Sequence, residues 1–194
     1  VADLDQMVIS DEIYNGLIYA GEEHSILEFT DRAFVINGFS KLYAMTGYRL
    51  GYVIAPREYI RAMQIMQQNF FICASSFAQE GGIAALRECE PDVQKMLGIY
   101  NQRRLYLLER LKIMGIATRH DPNGAFYALA NVKNYTRDSY SFAFEILAKA
   151  KVAVTPGIDF GSNCEGYIRF SYANSLENIQ EGLDRLERFL QNYR

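Results

Sequence analysis

Three short apolar runs constrain this chain more than any other feature. Met7 to Ser10, Ala33 to Asn37 and Gly51 to Ala55 are nearly free of polar residues, too short for helices, and end at Asp11, Gly38 and Pro56. Runs of this length bounded by turn residues read as strands, and strands apolar on both faces belong to sheets covered on both sides. They predict an α/β sheet.

Helical patterns follow. The stretch from about Arg57 to Glu88 reads as helix with a break near Cys73–Ser76. Pro91 suits a first helical turn, because its fixed φ is already helical. Val93, Met96, Leu97, Tyr100, Leu107, Leu108 and Leu111 then recur at helical spacing until Gly115, which ends the helix. Beyond it the pattern predicts a strand around Ala125–Leu129, a helix over Tyr140–Lys149, and strands at Val152–Thr155 and Tyr167–Tyr172. Ser175 is placed to cap a last helix whose stripe is Leu176, Ile179, Leu183, Leu186 and Leu190. Before residue 90, apolar strands end in loops rich in reactive side chains; after it the pattern is mixed α+β. We therefore expect two domains, residues 1–90 and 91–194.

With 49% hydrophobic and 22% charged residues among 194, the chain has enough apolar side chains for a globular core. A net charge of −3 argues against binding nucleic acid or a membrane surface, and no apolar run approaches the length of a membrane span. Cys73, Cys89 and Cys164 are far apart and show no C-x-x-C, so a reduced, cytoplasmic setting is expected. His24 and His120 do not complete a metal-ligand spacing with them.

The chemistry concentrates at Asp11, Lys41 and Arg49, read as lying at or just after C-terminal strand ends. Ligands of open α/β sheets bind beyond those ends, so an acid, an amine and a guanidinium are expected to converge on one ligand. Two of them have a plainer reading: Asp11 as a helix-cap or turn aspartate, and Lys41 as a surface lysine after a strand.

The stretch Asn37-Gly38-Phe39-Ser40-Lys41, with Gly47, Arg49 and Gly51 after it, resembles the lysine motif of class I and II aminotransferases, members of the fold-type I pyridoxal-phosphate enzymes. Ser10-Asp11-Glu12-Ile13-Tyr14 is similar to an upstream motif of that family. Thr155-Pro156-Gly157, Phe160-Gly161 and Tyr167-Ile168-Arg169-Phe170-Ser171 are similar to its C-terminal signature. Four short motifs in the right order make a specific signal where each alone is weak.

The resemblance implies part of a large three-layer α/β/α cofactor domain followed by a small α+β domain. It implies pyridoxal 5'-phosphate as cofactor, amino acid and 2-oxo acid as substrates, and a homodimer. Lys41 would form a Schiff base with the cofactor and shuttle the Cα proton. Asp11 would pair with the pyridine nitrogen, Tyr14 with the phenolic oxygen, and Arg49 with the phosphate, helped by Ser40. Arg169 would bind the substrate carboxylate. Ser75 and Ser76 fall where the family often places a hydroxyl near the phosphate, and equally suit a helix cap. Phe126 and Tyr127 resemble pocket-lining residues, and equally suit a core.

The matching motifs are those of the C-terminal half of the family. Its phosphate loop, ring-stacking aromatic and asparagine have no counterpart here, so the sequence reads as a fragment, inactive by itself. A carbon–sulfur β-lyase of the same fold, and the aminotransferase-like sensor half of a transcription regulator, share the same residues and remain open alternatives.

Overall fold

The computed structural model describes residues 6–193. Two compact units divide the chain between Leu97 and Gly98, inside one long helix, α3 (Glu90–Ile113).

In the first unit, strands β1 (Val8–Asp11), β2 (Ala33–Gly38) and β3 (Gly51–Ile54) form a sheet in the order β1-β2-β3. β1 and β2 are parallel, with Asp11 opposite Ile36, and β2 and β3 are antiparallel, with Gly38 opposite Gly51. Helices α1 (Arg57–Phe70) and α2 (Ser76–Glu88) follow, separated by a break that includes Ile72 at φ +67°. Ser75 stands at the N-cap of α2 without a side-chain capping bond.

The strands are unevenly covered in this chain, β2 being the most buried of the three. All four residues of β3 are exposed, and Ile9 of β1 is 72% exposed. α1 touches β2 through Tyr59 against Phe34, at 5.1 Å between ring centroids, but buries none of its own residues. It therefore does not close over the sheet. A buried cluster of this unit lies beside the loops: Phe39, Met45 and Leu50 pack with Ala78 and Ala85 of α2.

In the second unit, β4 (Tyr127–Asn131), β5 (Thr155–Pro156) and β6 (Tyr167–Ser171) form an antiparallel sheet in the order β4-β6-β5. Helices α4 (Ser139–Ala150) and α5 (Leu176–Gln191) complete it. Ile179, Leu183, Leu186 and Leu190 of the predicted stripe are buried, and the Ser175 hydroxyl accepts from the Asn178 N–H as expected of an N-cap. Gly115, at φ +74°, ends α3: its N–H donates to Lys112 O and that of Ile116 to Leu111 O, the paired bonds of a Schellman cap.

Two strands differ from expectation. The strand expected at Ala125–Leu129 begins only at Tyr127, because Ala125 sits at φ +56° in a turn. The strand expected at Val152–Thr155 shrinks to Thr155–Pro156: Lys151 ends α4 in the left-handed region, and β5 pairs with β6 only at Thr155, opposite Arg169, and Pro156, opposite Ile168.

Candidate active site

The pairing of β1, β2 and β3 brings the reactive loops of the first unit to one sheet edge. β1 ends at Asp11 and β2 at Gly38, parallel and adjacent, so their outgoing loops leave side by side. Arg49 corrects the expectation of a C-terminal strand end: it lies two residues before β3. Because β3 runs antiparallel to β2, its start falls at the same edge where β1 and β2 finish. Ser40 and Arg49 are each two residues outside the paired glycines Gly38 and Gly51.

Buried neighbours hold these loops. Phe39, just before Ser40, and Leu50, just after Arg49, belong to the same apolar cluster, and Phe39 N–H donates to Leu50 O at 3.2 Å. Burying each such side chain stabilises the arrangement by about 1.5–3 kcal/mol. Lys41 starts a turn closed by Ala44 N–H donating to Lys41 O, and its ammonium lies 5.8 Å from the centre of the Tyr14 ring. Leu42 packs directly on Gly16, where a Cβ would come within 2.7 Å of its methyl groups. That contact sets the Lys41 loop against the turn that carries Tyr14.

Asp11 is exposed, and its Oδ1 accepts from Ile13 N–H at 3.1 Å, a turn bond that fixes the carboxylate at the strand end. Arg49 is exposed, in the left-handed region at φ +53°, and donates to Thr46 O at 2.8 Å. Ser40 is half-buried.

Two features of this edge had no reading in the sequence. Glu12 is buried, and its carboxylate accepts from Ser10 Oγ, Asn15 Nδ2, Ser25 Oγ and Ile26 N–H. Glu23 accepts from Gly16 N–H at 2.6 Å. The only sequence signal was an acid directly after an apolar strand, with hydroxyl and amide side chains within reach.

Arg169 belongs to the second unit. It lies in β6 opposite Leu129 on one side and Thr155 on the other. Its guanidinium carbon is 4.2 Å from the centre of the Tyr127 ring and 4.6 Å from that of Phe160, and it donates to Thr155 Oγ1 at 3.3 Å. Among the described residues no carboxylate pairs with it. Two aromatic faces and one hydroxyl orient the cation while leaving its planar fork without an anion. Phe126, beside Tyr127 at 4.8 Å, also contacts Tyr100 at 5.6 Å.

The model of the family "Aminotransferase class I and II" matches residues 1–186. The chain belongs to the class I and II aminotransferases. Within this family, the (5-formylfuran-3-yl)methyl phosphate transaminase of Methanocaldococcus jannaschii is 46% identical over 187 residues, covering 94% of this chain and 50% of that protein. The aspartate aminotransferase of Pyrococcus abyssi is 40% identical over 192 residues, 96% of this chain and 49% of that protein. The crystal structure of an aromatic aminotransferase from Pyrococcus horikoshii matches with a TM-score of 0.92 at 39% identity, over 96% of this chain and 52% of that one. The chain thus spans about half the length of the curated relatives it matches.

Proposed function

We propose that the full-length protein is a pyridoxal-phosphate-dependent aminotransferase that moves an amino group from an amino acid to a 2-oxo acid. The observation that carries this reading is the gathering of Asp11, Tyr14, Lys41 and Arg49 at one sheet edge, with the Lys41 ammonium over the Tyr14 ring. The donor set fits the cofactor group by group. A carboxylate suits a pyridine nitrogen, a phenol suits a phenolic oxygen, an amine suits an aldehyde, and a guanidinium suits a phosphate.

When bound, the cofactor supplies an electron sink beside the substrate's Cα. Asp11 keeps the ring nitrogen protonated. Tyr14 donates to the phenolic oxygen, and Arg49 with Ser40 anchors the phosphate. Lys41 holds the cofactor and carries the proton to and from Cα. Arg169 takes the substrate carboxylate in its planar fork, held in place by Tyr127 and Phe160. We assign a homodimer to the working enzyme: the consecutive Phe70, Phe71 and Ile72 are 71–80% exposed, an apolar segment of the kind that marks an interface. Three unpaired cysteines suit a cytoplasmic setting.

Incubation of the full-length protein with pyridoxal phosphate, an amino acid and 2-oxoglutarate is expected to produce glutamate. Lys41→Ala is expected to abolish both that turnover and the absorption band of lysine-bound cofactor. A mutant that keeps the band would show that another amine holds the cofactor.

A further inference from the structure

We propose that Glu12 is a positioning residue of the cofactor site: its carboxylate closes the turn that presents Asp11 and Tyr14 and fastens that turn to the segment at 23–28. This rests on the reading of the same edge as a pyridoxal-phosphate site.

Glu12 is only 8% exposed, although it lies between exposed Asp11 and half-buried Ile13. A buried carboxylate needs donors for both oxygens, and this one has four. Oε1 accepts from Ser10 Oγ at 3.1 Å, Ser25 Oγ at 3.1 Å and Ile26 N–H at 2.9 Å; Oε2 accepts from Asn15 Nδ2 at 3.0 Å. Ser10 lies in β1 before the turn and Asn15 lies after Tyr14. The ring of bonds Ser10–Glu12–Asn15 therefore encloses both Asp11 and Tyr14.

Ser25 and Ile26 tie that ring to a segment with its own order. Ser25 and Glu28 form a capping box, and His24 Nδ1 lies 2.8 Å from Glu28 Oε2. Glu23 adds a second tie, to Gly16 N–H, and Gly16 is the residue on which Leu42 packs beside Lys41. Loss of the Glu12 carboxylate leaves Ser10, Asn15, Ser25 and the Ile26 N–H without their shared acceptor. The Asp11–Tyr14 turn is then free to move relative to Lys41, with no cofactor contact of Glu12 itself involved.

The chemistry of the amide isostere is specific. In Glu12→Gln the amide oxygen can keep the three donors on Oε1. Its NH2 group then faces Asn15, whose amide can turn to present oxygen instead. Glu12→Gln is therefore a conservative replacement, and Glu12→Ala is not.

The test uses the full-length protein, stripped of cofactor and titrated with pyridoxal phosphate, with the absorption band and its visible circular dichroism followed to saturation. Glu12→Ala is expected to raise the cofactor dissociation constant by about tenfold or more, equivalent to about 1.4 kcal/mol. It is also expected to weaken the circular dichroism of the band at saturation, with Glu12→Gln restoring both. An alanine variant that binds within about twofold of wild type, with an unchanged band, overturns the proposal. So does loss in alanine that glutamine does not restore. If Glu12→Ala does not fold, Asn15→Ala and Ser25→Ala, each removing one donor, are read by the same two measurements. A wild-type protein that shows no band overturns the site reading itself; a band in wild type that Lys41→Ala abolishes upholds it, whatever Glu12 does.

Discussion

Gly157 gives a sharp test of the second unit. It is buried and opens the single helical turn Gly157–Phe160, pressed against the backbone at 164–167. A methyl group there would run into the Cys164 carbonyl and come within 2.5 Å of Tyr167 O. Neither obstacle is the movable end of a side chain. Tyr167 is held in the β4–β6 ladder opposite Asn131. Relief requires a backbone shift on the order of an ångström in an interior packed like a crystal, which costs about 1–3 kcal/mol. Set against a total stability of about 5–15 kcal/mol, that is a large fraction. With a urea slope of about 1–3 kcal/mol/M, a loss of 2 kcal/mol lowers the unfolding midpoint by roughly 1 M. Gly182→Ala in α5 is the matched control. A Cβ there meets nothing within 4 Å, so the change should stabilise the helix by about 0.5–1 kcal/mol. The same chemical change is thus expected to have opposite signs at two positions of one unit, read by urea unfolding followed by far-ultraviolet circular dichroism. A Gly157→Ala midpoint equal to or above wild type, at unchanged slope, would refute the steric reasoning. Phe160 ends the same turn, so the shift should also disturb its contact with Arg169.

Arg169→Ala in the full-length protein is expected to weaken amino acid binding by about 2–5 kcal/mol, with cofactor affinity nearly unchanged; the reverse pattern would assign Arg169 elsewhere. Arg169→Lys should recover little, since an ammonium provides neither the planar fork nor the stacking on Tyr127 and Phe160. Glu165 provides a pH test: the Ser139 N–H and then the Gly166 N–H, at 2.7 and 2.8 Å, hold its carboxyl below the usual carboxylate range. Its folded pKa lies below its unfolded one, so its contribution is present above the unfolded value of about 4.3 and is lost as pH falls through the folded value. Urea midpoints measured from pH 7 down to pH 3 should therefore fall further for wild type than for Glu165→Gln, and parallel curves would refute the assignment.

What the sequence determined by itself was local. Helix periodicity and termini depend on residues three or four apart, so the stripe of α5, its Ser175 cap and the Gly115 stop were all legible. So was the break between α1 and α2. The motifs around Asp11, Lys41, Arg49 and Arg169 were legible as residue types in order, enough to name the family. Tertiary structure decided what depends on partners distant along the chain. That Arg49 precedes a strand follows from residue order, but only the antiparallel pairing of β3 brings that strand start to the end of the sheet where β1 and β2 finish. The length of β5 depended on which residues find partners on β6, here Thr155 and Pro156. Thr155 and Phe160 reach Arg169 only through the β5–β6 register and the turn after it. Glu12 shows the limit most plainly: its four donors come from Ser10, Asn15, Ser25 and Ile26, and only folding brings them around one carboxylate, because burial makes the charge demand every donor within reach.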